Sequence, residues 1–260
     1  MDNYTFKEAV KTQYRNSDNL SIRQSLHDKY SVNKTGFSNM IASSYDLKEG
    51  DRVLELGCGN GLLWQGRGDL IGRCSELILS DFSEGMLNSA KEALKAYDSI
   101  RYEVIDIQYI PFEDDSFDVV IANMMLYHVP DLDRALSEAA RVLKPGGTFY
   151  AATYGEQNVM PFVGRLLKDY LEEPKLNRKF ILQNGADSLK KYFSNVERRL
   201  YDDRLEITDV EDLADYVYSL ENVTAVSTVD RDTMIKVFKD NMKDGILTIP
   251  KEYGIFIARK

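Results

Sequence analysis

Between Arg52 and Thr153 short apolar runs alternate with segments of helical spacing, a pattern that leaves few folds open. Arg52–Leu56, Glu76–Ser80, Ile100–Ile105, Phe117–Ala122 and Thr148–Thr153 are short and apolar enough to be buried strands. Between them, Met86–Tyr97 and Leu132–Leu143 carry apolar residues at helical intervals. Ser83 is placed to cap the first of these helices, and Lys144-Pro145-Gly146-Gly147 stops the second. Strand and helix in repetition imply right-handed crossovers and a parallel sheet covered by helices on both faces.

The two ends of the chain follow other rules. Residues 1–45 are polar, aromatic-rich and helical in tendency, with no strand pattern. Val196–Ile207 and Ile246–Ala258 read as late strands, separated by the helical patterns Val210–Leu220 and Thr233–Met242. We therefore expect one domain over 1–260: an amino-terminal helical cap at 1–45, a core at 46–207 and 245–260, and a helical insertion at 208–244. A hydrophobic content of 43% with 29% charged residues suits a soluble globular protein. The net charge of −9 and pI near 4.9 work against binding a phosphate polymer, so nucleic acid is disfavoured as a partner. No stretch is long and apolar enough to span a membrane, and the opening Met1-Asp2-Asn3-Tyr4 starts no secretory signal, so the expected location is cytoplasmic. Cys58 and Cys74 are too few for a disulfide framework and read as packing residues. No set of side chains has metal-ligand spacing, and no metal is expected.

One stretch of the core carries chemistry. In "VLELGCGNG", residues 53–61, an apolar strand ends in Glu55 and passes into three alternating glycines, Gly57, Gly59 and Gly61. Such a loop lies at the carboxyl edge of a parallel sheet, where open α/β folds bind ligands. Its glycines let a ligand approach the backbone, and the helix start beyond them favours an anion. The dinucleotide fingerprint spaces its third glycine differently, and Glu55 would repel a pyrophosphate. A ligand bearing an ammonium or sulfonium suits that acid better.

With these residues in place, "ELGCGNG" resembles the first motif of the class I S-adenosylmethionine-dependent methyltransferases, of the type 11 small-molecule kind. "LILSDFSEGML", "VIDIQYIPFEDDSFDVVIANMMLYHV" and "RVLKPGGTFYAATY" follow in the family's order, so that the match covers about residues 50–153. The resemblance implies a Rossmann-like seven-stranded α/β sheet with helices on both faces and helical caps at the amino terminus and between the last two strands. It implies S-adenosyl-L-methionine as methyl donor, with S-adenosyl-L-homocysteine as product. Carried over residue by residue, it implies that Glu55 and the loop at Gly57, Cys58 and Gly59 face the cofactor and that Asp81 grips both ribose hydroxyls. It further implies that Phe82 and Met86 flank the adenine, Asp106 contacts its amino group, Ile107 offers backbone, and Asn123 lies near the methionine end. After the loop, "WQGRGDLIGRCS" departs from the family by its glycines, so the helix there is expected to be short or broken.

Physical chemistry agrees with these roles. Adenosine needs a flat apolar slot, which Phe82, Met86 and Ile107 can line, and one carboxylate can accept both ribose hydroxyls. Each residue also has a plainer reading. Asp106 could cap a turn, Met86 could be helix packing, and the Met124-Met125 pair could be core or pocket wall. His128, just past the fourth strand, could take a proton from an acceptor or could only support its neighbours. Tyr14, His27 and Tyr30 could enclose donor or acceptor, or could form an ordinary amphipathic face. The expected activity is methyl transfer to a small-molecule acceptor by in-line displacement. Methylation of RNA or protein is the first alternative, and a dinucleotide-dependent oxidoreductase is the second.

Overall fold

The computed structural model describes residues 18–170, 177–220 and 228–260. Its strands are β1 (Asp51–Leu56), β2 (Cys74–Asp81), β3 (Ile100–Val104), β4 (Phe117–Ile121), β5 (Leu143–Tyr154), β6 (Asn195–Ile207) and β7 (Leu247–Arg259). They form one sheet in the order β3-β2-β1-β4-β5-β7-β6. The helices are α1 (Asp18–Tyr30), α2 (Phe37–Ser43), α3 (Gly68–Ile71), α4 (Glu84–Ala93), α5 (Leu132–Val142), α6 (Val159–Leu166), α7 (Gly185–Leu189), α8 (Val210–Tyr218) and α9 (Arg231–Asp240).

Alternation along each strand decides which face a residue serves. In β1, Leu54 and Leu56 enter a core with Phe117, Phe149 and Phe256, while Val53 enters the opposite core with Trp64, Leu77 and Tyr150. Both faces are covered, as the continuous apolar strands require. β1 to β5, the strands of the alternating segment, pair in parallel as expected, and β7 runs antiparallel to both β5 and β6. The cause lies in the connection. β6 leaves the sheet at the carboxyl edge, α8 and α9 pack there, and the chain re-enters from that edge without crossing the sheet.

Two boundaries also differ from the sequence pattern. α4 starts as expected, with Ser83 Oγ accepting from Met86 N, but it ends at Ala93, and only turns carry the chain on to Tyr97. β5 begins at Leu143 rather than Thr148, because Leu143 already pairs with Phe117 across an irregularity in register. Beyond the glycine loop only a single 3₁₀ turn (Leu62–Trp64) and the short α3 follow, in keeping with the glycines at 66, 68 and 72.

β6 and β7 reach past the rest of the sheet. β5 and β7 stop pairing at Tyr154↔Tyr253, whereas β6 and β7 continue to Ile207↔Leu247. This projecting arm packs with α1, α6, α8 and α9 into a third apolar core containing Leu26, Leu205, Ile207, Val217, Phe238 and Ile249. α1 is tied to the arm directly. Ser31 bridges to Leu205, Val32 N donates to Arg204 O at 3.0 Å, and Tyr30 Oη donates to Asp212 at 2.5 Å. Ser31, outside any strand, makes a single antiparallel bridge to the open edge of β6. Beneath it Lys251 and Asp203, 2% and 0% exposed, pair at 2.9 Å, and Ser31 Oγ donates to the same carboxylate at 2.7 Å.

Removing one partner of a buried pair strands the other, at a cost of about 3–5 kcal/mol. Lys251→Met should therefore lower the unfolding free energy by that scale and shift the urea midpoint down accordingly, while removal of the exposed pair Lys95–Glu92 should leave it unmoved. Equal midpoints for both variants would show that the buried pair does not anchor α1.

Candidate functional site

The glycine loop leaves β1 at the carboxyl edge and is held there by its neighbour strand. Gly57 N and Cys58 N both donate to Ser80 O at 2.8 Å, and Ser80 Oγ donates back to Glu55 O at 2.8 Å. Gly59 has φ of +58°, and its N–H donates to Asp81 Oδ2 at 3.0 Å. The other carboxylate oxygen of Asp81 accepts from Ser83 N at 2.8 Å, so one acid clasps the loop and the start of α4 together. A Cβ built on Gly57 would lie 2.8 Å from Met125 Cγ, which makes glycine obligatory there on space as well as on its φ of +76°. A Cβ on Gly59 would meet only Leu20 Cδ2 of α1, at 3.6 Å. The loop therefore faces α1 across a narrow space, and Asn60 Nδ2 reaches Gln24 Oε1 at 3.2 Å.

Glu55 lies behind the loop and is 2% exposed. Its Oε2 accepts from Trp64 Nε1 at 2.5 Å, and Asn123 also hydrogen-bonds to it. Burial pushes the carboxyl up to about 7 against the pull of those two hydrogen bonds, with the Asp81 charge adding to the rise. Asn123 donates to Tyr45 Oη at 2.6 Å and accepts from Ala152 N at 3.0 Å, which fixes its amide between β4 and β5. Next to it Met124 sits at a φ of +53°, a strained value for a residue with a side chain, held by its N–H bond to Ala152 O. Burial likewise raises Asp81, against three backbone N–H bonds, and raises the Cys58 thiol well above its usual range.

The structure brings Glu55, Gly57, Cys58, Gly59, Asp81 and Asn123 to one edge, on the ends of β1, β2 and β4. Phe82 is half-buried beside Asp81, while Met86 and Ile107 are 1% and 4% exposed and belong to the packed interior. Asp106 accepts from Gln108 N at 3.0 Å and Gln108 Nε2 at 2.9 Å, the turn-capping arrangement that was its plainer reading. His128 closes a 3₁₀ turn (Leu126–His128) after β4. Burial, with the Arg23 charge, lowers it to about 4, so the imidazole is neutral at ordinary pH.

Two of the cap residues are described and one is not. Tyr14 lies outside the described residues. Tyr30 is turned away from the loop, toward Asp212 of α8. His27 packs edge-on against Tyr216 and Tyr253, its Nε2 3.3 Å from Tyr253 Oη. Burial and then the Lys251 charge lower His27 to about 3. Reading the sequence alone does not reach Tyr45 and Trp64, which hold Asn123 and Glu55, or Arg23, whose charge acts on His128. Trp64 carried one usable signal, as the chain's only tryptophan, set right after the loop.

Residues 54–151 match a family model described as a methyltransferase domain. Demethylmenaquinone methyltransferase of Staphylococcus aureus is 28% identical over 211 residues, 75% of this chain and 87% of that protein. Among solved structures, phosphoethanolamine N-methyltransferase 2 of Haemonchus contortus with S-adenosyl-L-methionine is 20% identical and superposes with a TM-score of 0.60 over 98% of this chain and 60% of that one. The cyclase SpnF is 18% identical, with a TM-score of 0.59 over 96% and 95% of the two chains. At these identities the superpositions speak for the fold, which in SpnF carries a differently named reaction.

The Glu55–Trp64 bond makes a built-in reporter. Fluorescence of the single tryptophan should titrate with a midpoint of about 7 as Glu55 loses its proton, and Glu55→Gln should abolish the step. A flat profile in the unaltered protein would show that Glu55 does not ionise in that range.

Proposed function

We propose that this chain, a class I S-adenosylmethionine-dependent methyltransferase, delivers its methyl group to a small organic molecule. The observation that carries the reading is the pairing of two acids with one glycine loop, Asp81 on Gly59 N and Glu55 buried behind it. A pyrophosphate ligand gains nothing from that pair, while a ligand with a diol at one end and a cation at the other gains from both. The room beside Gly59, where a Cβ meets only Leu20, fits close approach of such a ligand to the backbone. In this reading Asp81 keeps lone pairs for the ribose diol, Phe82 covers the adenine with Met86 and Ile107 behind, and Asp106 marks the amino edge of the base. Glu55 and Asn123 define the methionine end, and the backbone at Gly57, Cys58 and Gly59 lines the space between.

Bound there, S-adenosylmethionine supplies an already activated methyl group, so the chain's own work is alignment and exclusion of water. α1 covers the loop through Leu20 and Gln24, and with the helical insertion it walls the carboxyl edge. His128, held neutral, can relay the proton that the acceptor loses. A small acceptor is supported by the enclosure, by the net charge of −9, and by the name of the Staphylococcus aureus relative. Incubation of a metabolite extract with isotope-labelled methyl donor should place label in the small-molecule fraction. Label found only in RNA or protein would overturn the acceptor class.

Two further outcomes are expected. Asp81→Ala should weaken S-adenosylmethionine by about 1.5–3 kcal/mol in calorimetry, the scale of lost charged hydrogen bonds. Because Glu55 has its midpoint at about 7 in the free protein and a cation favours the carboxylate, affinity should be full above that pH and fall as pH drops below it. Glu55→Gln should flatten the profile, and a slope that survives the substitution would assign it to another group.

A further inference from the structure

β6 is an outer strand of the sheet, and half of its free edge is bare. Val32 N donates to Arg204 O and Asn33 Nδ2 to Asp202 O, both at 3.0 Å, so the segment after α1 covers this edge from Asp202 to Leu205. Those two bonds also fix which way the strand faces. Backbone groups alternate between the two edges of a strand, and β6 pairs with β7 in one unbroken register from Asn195 to Ile207. The carbonyls of Asp202 and Arg204 are turned outward, and the alternation turns the N–H and C=O groups of Leu200, Arg198 and Val196 the same way. The carbonyl of Arg199 faces β7, 2.6 Å from where a Cβ on Gly254 would sit. No strand among the described residues pairs with the outward groups.

The side chains along the bare stretch are not those of a protected edge. Leu200, a large apolar residue at its middle, is 61% exposed. Most charges of β6 are already paired: Glu197 with Arg199, Arg204 with Glu206, and Asp203 with Lys251. Two are left. Arg198 and Asp202 are exposed and have no ion-pair partner among the described residues, although Arg198 Nη1 donates to Leu182 O at 2.9 Å. They stand two residues to either side of Leu200 and, by alternation, on its face of the sheet. The opposite outer strand, β3, lacks this pattern, because its Arg101 is paired with both Glu76 and Glu103.

We propose that the bare stretch of β6 pairs antiparallel with the same stretch of a second copy of this chain, about a two-fold axis through Leu200, to form one continuous sheet across a homodimer. An axis normal to the sheet keeps each face matched to itself, so an outward-turned residue must meet an outward-turned residue. With the axis at Leu200, the two copies of that residue exchange both backbone bonds, and Arg198 of each copy lies opposite Asp202 of the other. The pairing gives each unpaired charge an opposite one and covers each leucine with the other. An axis at Arg198 or at Asp202 would instead set like charges face to face. The ladder ends where the segment after α1 begins. Asp202 O keeps a second lone pair for Arg198 N of the other copy, whereas Arg204 is closed off by Val32 and the Ser31 bridge. Three strands separate β6 from β1 and its glycine loop, so the pairing stands apart from the methyl-transfer reading.

Sedimentation equilibrium of the full chain at low salt, over a range of protein concentrations, tests the pairing. The unaltered protein should populate a dimer. Arg198→Asp and Asp202→Arg should each raise the dissociation constant by about ten- to hundredfold, since each turns two attractive cross-strand pairs into two repulsive ones. Both substitutions together put opposite charges back across the axis and should restore the dimer. Leu200→Lys, which sets two like charges on the axis itself, should leave a monomer. All three positions are exposed, and an unchanged circular dichroism spectrum shows that each variant folds. The proposal is overturned by a monomer at every concentration, by a dimer that survives Leu200→Lys or either single charge reversal, or by a double variant no tighter than the single ones.

Discussion

The carboxylate of Asp81 is the interaction on which the rest of the site depends. It joins the glycine loop after β1 to the first turn of α4 after β2, through Gly59 N and Ser83 N. Without that acid, three backbone N–H groups at the carboxyl edge would lose their partner, and the left-handed turn at Gly59 would lose its anchor. The same oxygens keep acceptor capacity beyond these three bonds. Under the proposed function, structural and ligand-binding duties would fall on one side chain without conflict, because a carboxylate accepts from several directions at once. Glu55 complements it from behind. Its burial keeps a proton within reach of neutral pH, so the arrival of a cation can be coupled to release of that proton.

The second organising element is the arm made by β6 and β7 beyond the sheet. It turns the carboxyl edge from an open rim into a recess with a wall, and it anchors α1 through Ser31, Asp203 and Lys251. One end of α1 is thus fixed in a dry core, and the other meets the loop through the contact of Leu20 and one amide bond from Asn60. α1 is therefore held firmly at one end and by few contacts at the other.

How far the sequence alone reaches depends on whether a feature is local. The strand-loop order, the acids at 55 and 81 and the Ser83 cap are local, and each follows from periodicity or from an acid at a strand end. Asp106 shows the limit: its neighbour Gln108 takes the carboxylate, and only the folded turn reveals it. Tyr45 on Asn123 depends on how the fold brings residues 78 positions apart together, which no local pattern encodes. The environment of His27 depends on Lys251, 224 positions along the chain. One signal for it was present. Lys251 occupies an inward position in the alternation Leu247, Ile249, Lys251, Tyr253, and Asp203 does the same between Tyr201 and Leu205. Charges at inward strand positions call for each other.

The strand order has a consequence for how the chain is made. β7 follows β6 in sequence yet lies between β5 and β6 in the sheet. While the chain is being synthesised, β6 emerges with no neighbour to pair with, and β5 keeps a bare edge until β7 slides between them. The root of α1 rests on β6 and β7 together, so the cover over the glycine loop can be assembled only after both are in place. A nascent five-stranded sheet could thus display its glycine loop uncovered, with two unpaired strand edges exposed. That interval is when such a chain is most prone to pair with a copy of itself.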